Sequence, residues 1–112
     1  MKNRLKIIAE AGVNHNGSVM IAKKLAWEAK RNGADFIKFQ IFKTDEQISK
    51  STPTANYQKK NSNEKNMYSM AKSYELSLNE HKEIKKYCSK INIQYLASCF
   101  DYHRQPKKKI IC

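Results

Sequence analysis

Apolar and polar residues follow one another along the first third of the chain in a pattern that predicts strand, helix and strand. Residues 5–10 form a short β-rich run that ends at Ala11-Gly12, and residues 34–42 form a second such run. Between them the apolar residues recur at helical spacing, and a glycine follows in the position just past a helix: Ala22, Leu25, Ala26, Ala29 and Gly33. These residues predict an amphipathic helix between two strands.

The remainder continues the same alternation after a long polar interval. Residues 43–76 predict a loop with a short helical turn at residues 67–71. Ser77 and Glu80 then match a capping box, which predicts the start of a second long helix. Its apolar stripe comprises Leu78, His81, Ile84, Tyr87 and Cys88, and residues 91–98 predict a third strand. Successive strand and helix units of this kind predict an α/β fold with parallel strands.

Two polar residues interrupt the second predicted strand. Lys38 and Gln40 fall on the face opposite Ile37, Phe39 and Ile41, because side chains alternate along a strand. A strand of a parallel sheet is usually apolar on both faces. We therefore expect Lys38 and Gln40 to form part of a functional face. The alternative is a half-exposed antiparallel strand whose Lys and Gln simply face water.

The positive charge of the chain has two interpretations. The formal net charge is +12, which is typical of a small basic nucleic-acid-binding protein. However, the basic residues are almost all lysines scattered along the chain, and arginine occurs only as Arg4, Arg31 and Arg104. This composition favours the background of an AT-rich genome over a selected nucleic-acid partner, although the binding protein stays as the alternative.

The sequence shows no pattern typical of a membrane span, a signal peptide or a zinc site. No apolar run approaches the roughly 20 residues of a membrane span, and no signal-peptide core precedes residue 5, so we expect a cytoplasmic protein without a membrane partner. Cys88, Cys99 and Cys112 contain no CxxC pair, so the cysteines indicate no zinc site.

The sequence of residues 5–101 resembles the N-terminal part of the bacterial N-acetylneuraminate and legionaminate synthase family. The resemblance lies in four ordered blocks: residues 7–18 (IIAEAGVNHNGS), residues 33–40 (GADFIKFQ), residues 57–58 with 74–77 and 80–83, and residues 95–101 (YLASCFD). It implies about the first three βα units of a (β/α)8 barrel with parallel strands. One departure is Cys99, which stands where the family commonly has proline.

The resemblance also implies a reaction and its partners. The family condenses phosphoenolpyruvate with an N-acylated hexosamine, such as N-acetylmannosamine, to form a nonulosonic acid. The family enzymes use a divalent metal, manganese or magnesium, and form homodimers. We expect the 112-residue chain alone to bind no metal and to be inactive, because a whole barrel needs about 250 residues. A synthase for pseudaminate or a 3-deoxy sugar acid is a related alternative.

The resemblance gives roles to particular residues. Glu10 matches a catalytic glutamate, whereas Lys38, Gln40 and Ser98 match residues that bind phosphoenolpyruvate. Asn14 and His15 are expected to brace the first loop, and no residue of this chain is expected to bind metal. Residues 102–112 leave the pattern as a basic tail. We interpret the tail as a truncated or frame-shifted end, with anion binding as the alternative.

Overall fold

Three parallel strands form the centre of the computed structural model, which describes residues 4–47 and 62–100. Strands β1 (Ile8–Gly12), β2 (Phe36–Ile41) and β3 (Gln94–Cys99) lie in the order β1-β2-β3. The helices are α1 (Val19–Arg31), the short α2 (Thr44–Gln47), α3 (Ser62–Tyr74) and α4 (Leu78–Lys90). Both strand pairs are parallel, which confirms the predicted α/β fold and shows that the antiparallel alternative for β2 was wrong.

The two long helices that cover the sheet begin at side-chain caps. At α1, the Ile21 N–H donates to Ser18 Oγ at 3.2 Å. At α4, the Glu80 N–H donates to Ser77 Oγ at 3.1 Å and the Ser77 N–H donates to the Glu80 carboxylate at 2.8 Å. These reciprocal bonds satisfy backbone donors that the first helical turn leaves unpaired. They confirm the capping box.

One face of the sheet carries the core, and we call it the covered face. Ile37, Phe39 and Ile41 of β2 are at most 3% exposed on this face. Ala22 and Ala26 of α1 and Ile84 and Cys88 of α4 belong to the same buried cluster as Ile37 and Phe39. Small alanines on α1 allow a close approach to the strands, so burial of the β2 side chains is nearly complete.

The opposite face, which we call the open face, has no helix packed on it among residues 4–47 and 62–100. Its side chains are only partly buried or exposed, and Ile8 remains 53% exposed. The paired residues Glu10 with Lys38 and Gln40 with Ser98 lie on this face because partners in register point the same way. The alternation predicted for β2 is therefore confirmed.

Three boundaries differ from those predicted. Strand β3 begins at Gln94 instead of residue 91, because Ile91 caps α4 and Asn92 turns the chain at a φ of 66°. Strand β1 is displaced toward the first loop and ends at Gly12. Helix α3 is 13 residues long, whereas only a turn was predicted there. The predicted tail at residues 102–112 lies outside the described residues.

The helices of this structure are short. Within the part of the chain that the structure describes, none is both long and apolar enough to cross a membrane.

Candidate active site

The four residues predicted to bind or act on substrate lie on one face of three adjacent strands, Glu10 and Lys38 near the middle of β1 and β2 and Gln40 and Ser98 one residue from the ends of β2 and β3. Glu10 of β1 is the register partner of Lys38 of β2, and Gln40 of β2 is the partner of Ser98 of β3. The Glu10 carboxylate and the Lys38 ammonium are 3.4 Å apart, with the side chains 54% and 38% exposed. An ion pair this exposed contributes little to stability, typically less than about 1 kcal/mol. The pair instead presents one negative and one positive charge on the open face.

A bulge at the end of β1 brings Glu10 and Gln40 towards a common point. The register with β2 shifts between Glu10 and Gly12. A Cβ on residue 12 would lie 3.6 Å from Gln40 Nε2 and 3.8 Å from Glu10 Oε2. The carboxylate and the amide therefore converge above Gly12, in a position where both can contact one small molecule.

The first loop, which follows β1, is folded around His15. The His15 side chain is completely buried, and its Nδ1 accepts a hydrogen bond from the Gly17 N–H at 2.9 Å. Burial lowers the pKa of His15 and outweighs the opposing charge of Glu80, so the ring is neutral near pH 7. Asn14 is exposed, and its backbone N–H donates to the Ala11 carbonyl at 2.9 Å. A bracing role for the two residues stays a prediction, with this geometry in its support.

Behind the candidate site lies a buried ring cluster that the sequence did not reveal. The Phe39 ring packs against Tyr95 at 5.6 Å, and His81 Nδ1 is hydrogen-bonded to the Tyr95 hydroxyl at 2.7 Å. Burial, aided by repulsion from His15, lowers the pKa of His81 to about 4. Burial likewise raises the pKa of Tyr95. The only signal in the sequence was a histidine within the apolar stripe of a helix.

A second feature that sequence reasoning missed is the carboxylate of Glu75, which joins the end of β2 to helix α3. Its side chain is 8% exposed and lies 3.4 Å from Lys43 Nζ and 3.5 Å from Lys72 Nζ. Its Oε1 also accepts a hydrogen bond from the Thr44 N–H at 3.1 Å. Burial alone would raise the pKa of Glu75, but hydrogen bonding from Thr44 through its N–H and the charges of Lys72 and Lys43 outweigh it, so the pKa is lowered.

A cleft opens beside Gln40, between the strand ends and α3. Its volume is about 280 Å³, and most of its walls are apolar. The residues that line it are Val13, Gln40, Phe42, Thr44, Ala71, Tyr74 and Phe100. The cleft adjoins the open face at Gln40, which belongs to both.

The described residues do not fit a metal centre by themselves. Within residues 4–47 and 62–100, no three His, Cys, Asp or Glu side chains lie close enough together to bind a metal ion. The Glu10 carboxylate, which stands at the candidate site, is paired with Lys38 instead.

The sequence of most of the chain matches one protein family. Residues 25–105 match the model of the NeuB family. The chain belongs to the NeuB family. This match confirms the resemblance found in the sequence and includes Lys38, Gln40 and Ser98 among the matched residues.

Curated relatives in the NeuB family include sugar acid synthases. The chain is 44% identical over 96 residues to the N,N'-diacetyllegionaminic acid synthase of Legionella pneumophila, covering 85% of this chain and 27% of the relative. It is 47% identical over 102 residues to the enzyme of the same name from Campylobacter jejuni, covering 90% of this chain and 30% of the relative. The chain thus spans less than a third of the length of these relatives.

A solved structure extends the likeness to the fold. The N-acetylneuraminic acid synthetase of Leptospira borgpetersenii superposes with a TM-score of 0.77 at 29% identity, over 96% of this chain and 33% of that one. The three parallel strands and their helices therefore correspond to part of a (β/α)8 barrel. In such a barrel the open face of the sheet faces inward, and the carboxyl ends of the strands carry the chemistry.

Proposed function

We propose that residues 5–101 form the N-terminal portion of a synthase that condenses phosphoenolpyruvate with an N-acylated hexosamine, N-acetylmannosamine or a relative, to give a nonulosonic acid. One observation carries this proposal. Glu10, Lys38, Gln40 and Ser98 share the open face of three adjacent parallel strands, and Gln40 and Ser98 lie one residue from the carboxyl ends of β2 and β3. The names of the curated relatives support the reaction class.

Lys38, Gln40 and Ser98 have the chemistry needed to bind phosphoenolpyruvate. The ammonium of Lys38 would pair with a carboxylate or phosphate oxygen, and the Gln40 amide and Ser98 hydroxyl can donate hydrogen bonds to the remaining oxygens. Because the three donors lie on neighbouring strands, a rigid scaffold fixes their spacing before substrate binds. Fixed donors of this kind stabilise charge that develops as the phosphate leaves.

Glu10 would manage protons in the reaction. Carbon 3 of phosphoenolpyruvate forms a bond with the aldehyde carbon of the sugar, and the aldehyde oxygen takes up a proton to become a hydroxyl. Water then adds at carbon 2 and loses a proton, and the carbon–oxygen bond to phosphate breaks to leave a ketone and inorganic phosphate. A carboxylate at the position of Glu10 can accept or return these protons. Its partner Lys38, 3.4 Å away, places a positive charge beside the carboxylate.

Further parts of the proposal come from the resemblance to the family. A divalent metal, manganese or magnesium, would polarise the sugar aldehyde in the whole enzyme. We propose that a polypeptide of these 112 residues alone neither binds that metal nor turns over, since it supplies about three of the eight barrel units. Asn14 and His15 brace the first loop in this proposal, and the whole protein is a cytoplasmic homodimer.

A chimaeric enzyme provides the test. Residues 5–101 would replace the matching segment of the Campylobacter jejuni relative, to which the chain is 47% identical. We expect the chimaera to release inorganic phosphate from phosphoenolpyruvate when N-acetylmannosamine or a diacetylated relative is supplied. Gln40→Ala in the chimaera should raise KM for phosphoenolpyruvate, and Glu10→Gln should lower kcat by about 100-fold.

The control is Lys24→Gln, a change on the exposed surface of α1. It should leave phosphate release unchanged. A folded chimaera that binds metal but releases no phosphate with any N-acyl hexosamine contradicts the proposed function. Phosphate release that survives Glu10→Gln contradicts the role of Glu10 alone.

A further inference from the structure

We propose that Glu75 is a positioning residue for the candidate active site. Its buried carboxylate fixes the segment that leaves β2 against helix α3 and so sets the position of Gln40 at the mouth of the cleft. The proposal rests on the proposed function only for what the cleft binds.

The contacts of Glu75 come from both sides of the cleft. From the β2 side, the Thr44 N–H donates to Oε1 at 3.1 Å and Lys43 Nζ lies 3.4 Å from Oε2. From the α3 side, Lys72 Nζ lies 3.5 Å from Oε1. The side chain is only 8% exposed, so these contacts are poorly screened by water. A single carboxylate therefore holds two chain segments that are distant in sequence.

The two segments joined by Glu75 form opposite walls of the cleft. Thr44, whose N–H bonds to Glu75, lines one wall with Gln40 and Phe42, and Ala71 and Tyr74 of α3 line the other. Gln40 is the penultimate residue of β2, so any shift of residues 43 and 44 passes directly to the strand end. Loss of the Glu75 contacts should consequently widen the cleft at Gln40 and reorient the amide.

Other contacts keep α3 attached when Glu75 changes. Lys72 Nζ also lies 3.3 Å from Asp45 Oδ2, and Tyr68 donates a hydrogen bond to Asp45. The backbone of Gly17 lies against the Ser73 carbonyl at the end of the same helix. We therefore expect Glu75→Gln to leave the fold intact, since glutamine retains the size of the side chain and one acceptor for the Thr44 N–H.

Nuclear magnetic resonance on the full chain tests the proposal without ligand. In Glu75→Gln we expect the Gln40 side-chain amide signals to shift and exchange of the Thr44 amide to accelerate by about tenfold, because a hydrogen bond to a carboxylate is replaced by a weaker one to a neutral amide. The indole signal of Trp27, on α1 outside the cleft lining, should stay in place and report an intact fold. Lys72→Gln, at an exposed position, should produce the same changes with a smaller amplitude.

Glu83→Gln is the matched control, because it removes a carboxylate that is paired with Lys23 at 2.8 Å on α4 and α1. It should leave the Gln40 and Thr44 signals unchanged. Gln40 signals that stay fixed in Glu75→Gln would overturn the proposal. The proposal would also be overturned if the Trp27 indole signal moved in both Glu75→Gln and Lys72→Gln, because that result would show a general structural role.

A titration with phosphoenolpyruvate separates this inference from the proposed function. We expect the substrate to shift the Gln40 amide signals in the unmodified chain, with an affinity about tenfold weaker in Glu75→Gln. An unmodified chain whose Gln40 signals ignore phosphoenolpyruvate contradicts the substrate assignment. Such a result leaves the ligand-free coupling of Glu75 to Gln40 to be decided by the signals of the variants.

Discussion

The two faces of the three-stranded sheet come from the same strands but differ in how deeply their side chains are buried. On the covered face, Ile37 and Phe39 are at most 1% exposed beneath α1 and α4. On the open face, Lys38 and Gln40, their immediate neighbours in sequence, remain partly accessible. Alternate residues of β2 thus differ in burial, one set packed in the core and the other partly open to solvent.

This difference shows where a parallel strand can tolerate polar side chains. Burial of an unpaired ammonium costs several kcal/mol, so Lys38 could not lie on the covered face. On the open face its charge is met by Glu10 at 3.4 Å and by water. The covered face fixes the backbone of β2, and that rigidity is what places the polar groups on the other side.

The covered face should respond most strongly to truncation. Phe39→Ala removes the largest side chain that is fully buried among the described residues, together with the ring that packs on Tyr95, and we expect the free energy of unfolding to fall by about 3–5 kcal/mol. Urea unfolding followed by circular dichroism measures the change. Gln40→Ala, one residue along on the open face, should cost less than about 1 kcal/mol. Equal losses for the two variants would remove the distinction between the faces.

Acidification should also lower the free energy of unfolding, because His81 is fully buried. The folded pKa of His81 is lowered to about 4, so protonation favours the unfolded chain, whose histidine titrates near 6.5. The contribution of His81 to stability is complete above about pH 6.5 and is lost as the pH falls towards 4, a change of about 3 kcal/mol. Unfolding free energies measured across this range should show the loss.

The control for the pH experiment is His81→Gln. That variant should be less stable near pH 7, because the hydrogen bond to Tyr95 changes, but its stability should depend less on pH between about 6.5 and 4. Parallel pH profiles for the two proteins would show that His81 does not titrate as its burial requires.

The smallest effect on stability is expected on the open face. Lys38→Met removes a charge that is 38% exposed, so the free energy of unfolding should change by less than about 1 kcal/mol. In the chimaeric synthase the same variant should lower kcat/KM for phosphoenolpyruvate by about 100-fold. A large loss of stability with unchanged catalysis would reverse the assignment of the two faces.

Regular, amphipathic parts of this chain were predictable from the sequence. The alternation in β2, the alanine stripe of α1 and the capping box of α4 each express a local rule, and the structure confirms them. The roles of Glu10, Lys38, Gln40 and Ser98 came from the resemblance to the family and stay predictions. The sequence could place these residues on or beside predicted strands, but it could not give the distance between any two of them.

The features that were missed depend on contacts between distant segments. Helix α3 is polar along much of its length, so no apolar stripe indicated its 13 residues. The role of Glu75 arises from Lys43 and Thr44, more than 30 residues earlier in the chain. The start of β3 was misplaced because the left-handed turn at Asn92 leaves no hydrophobic pattern to mark it.

The contact between Gly17 and helix α3 limits which residues position 17 can accept. A Cβ at position 17 would lie 2.1 Å from the Ser73 carbonyl oxygen, and that atom belongs to backbone that cannot turn aside. At Gly33, by contrast, a Cβ would meet no atom within 4 Å of those described. In a library of random substitutions, position 33 should admit residues such as asparagine that accept its φ of 96°, while position 17 should admit glycine alone.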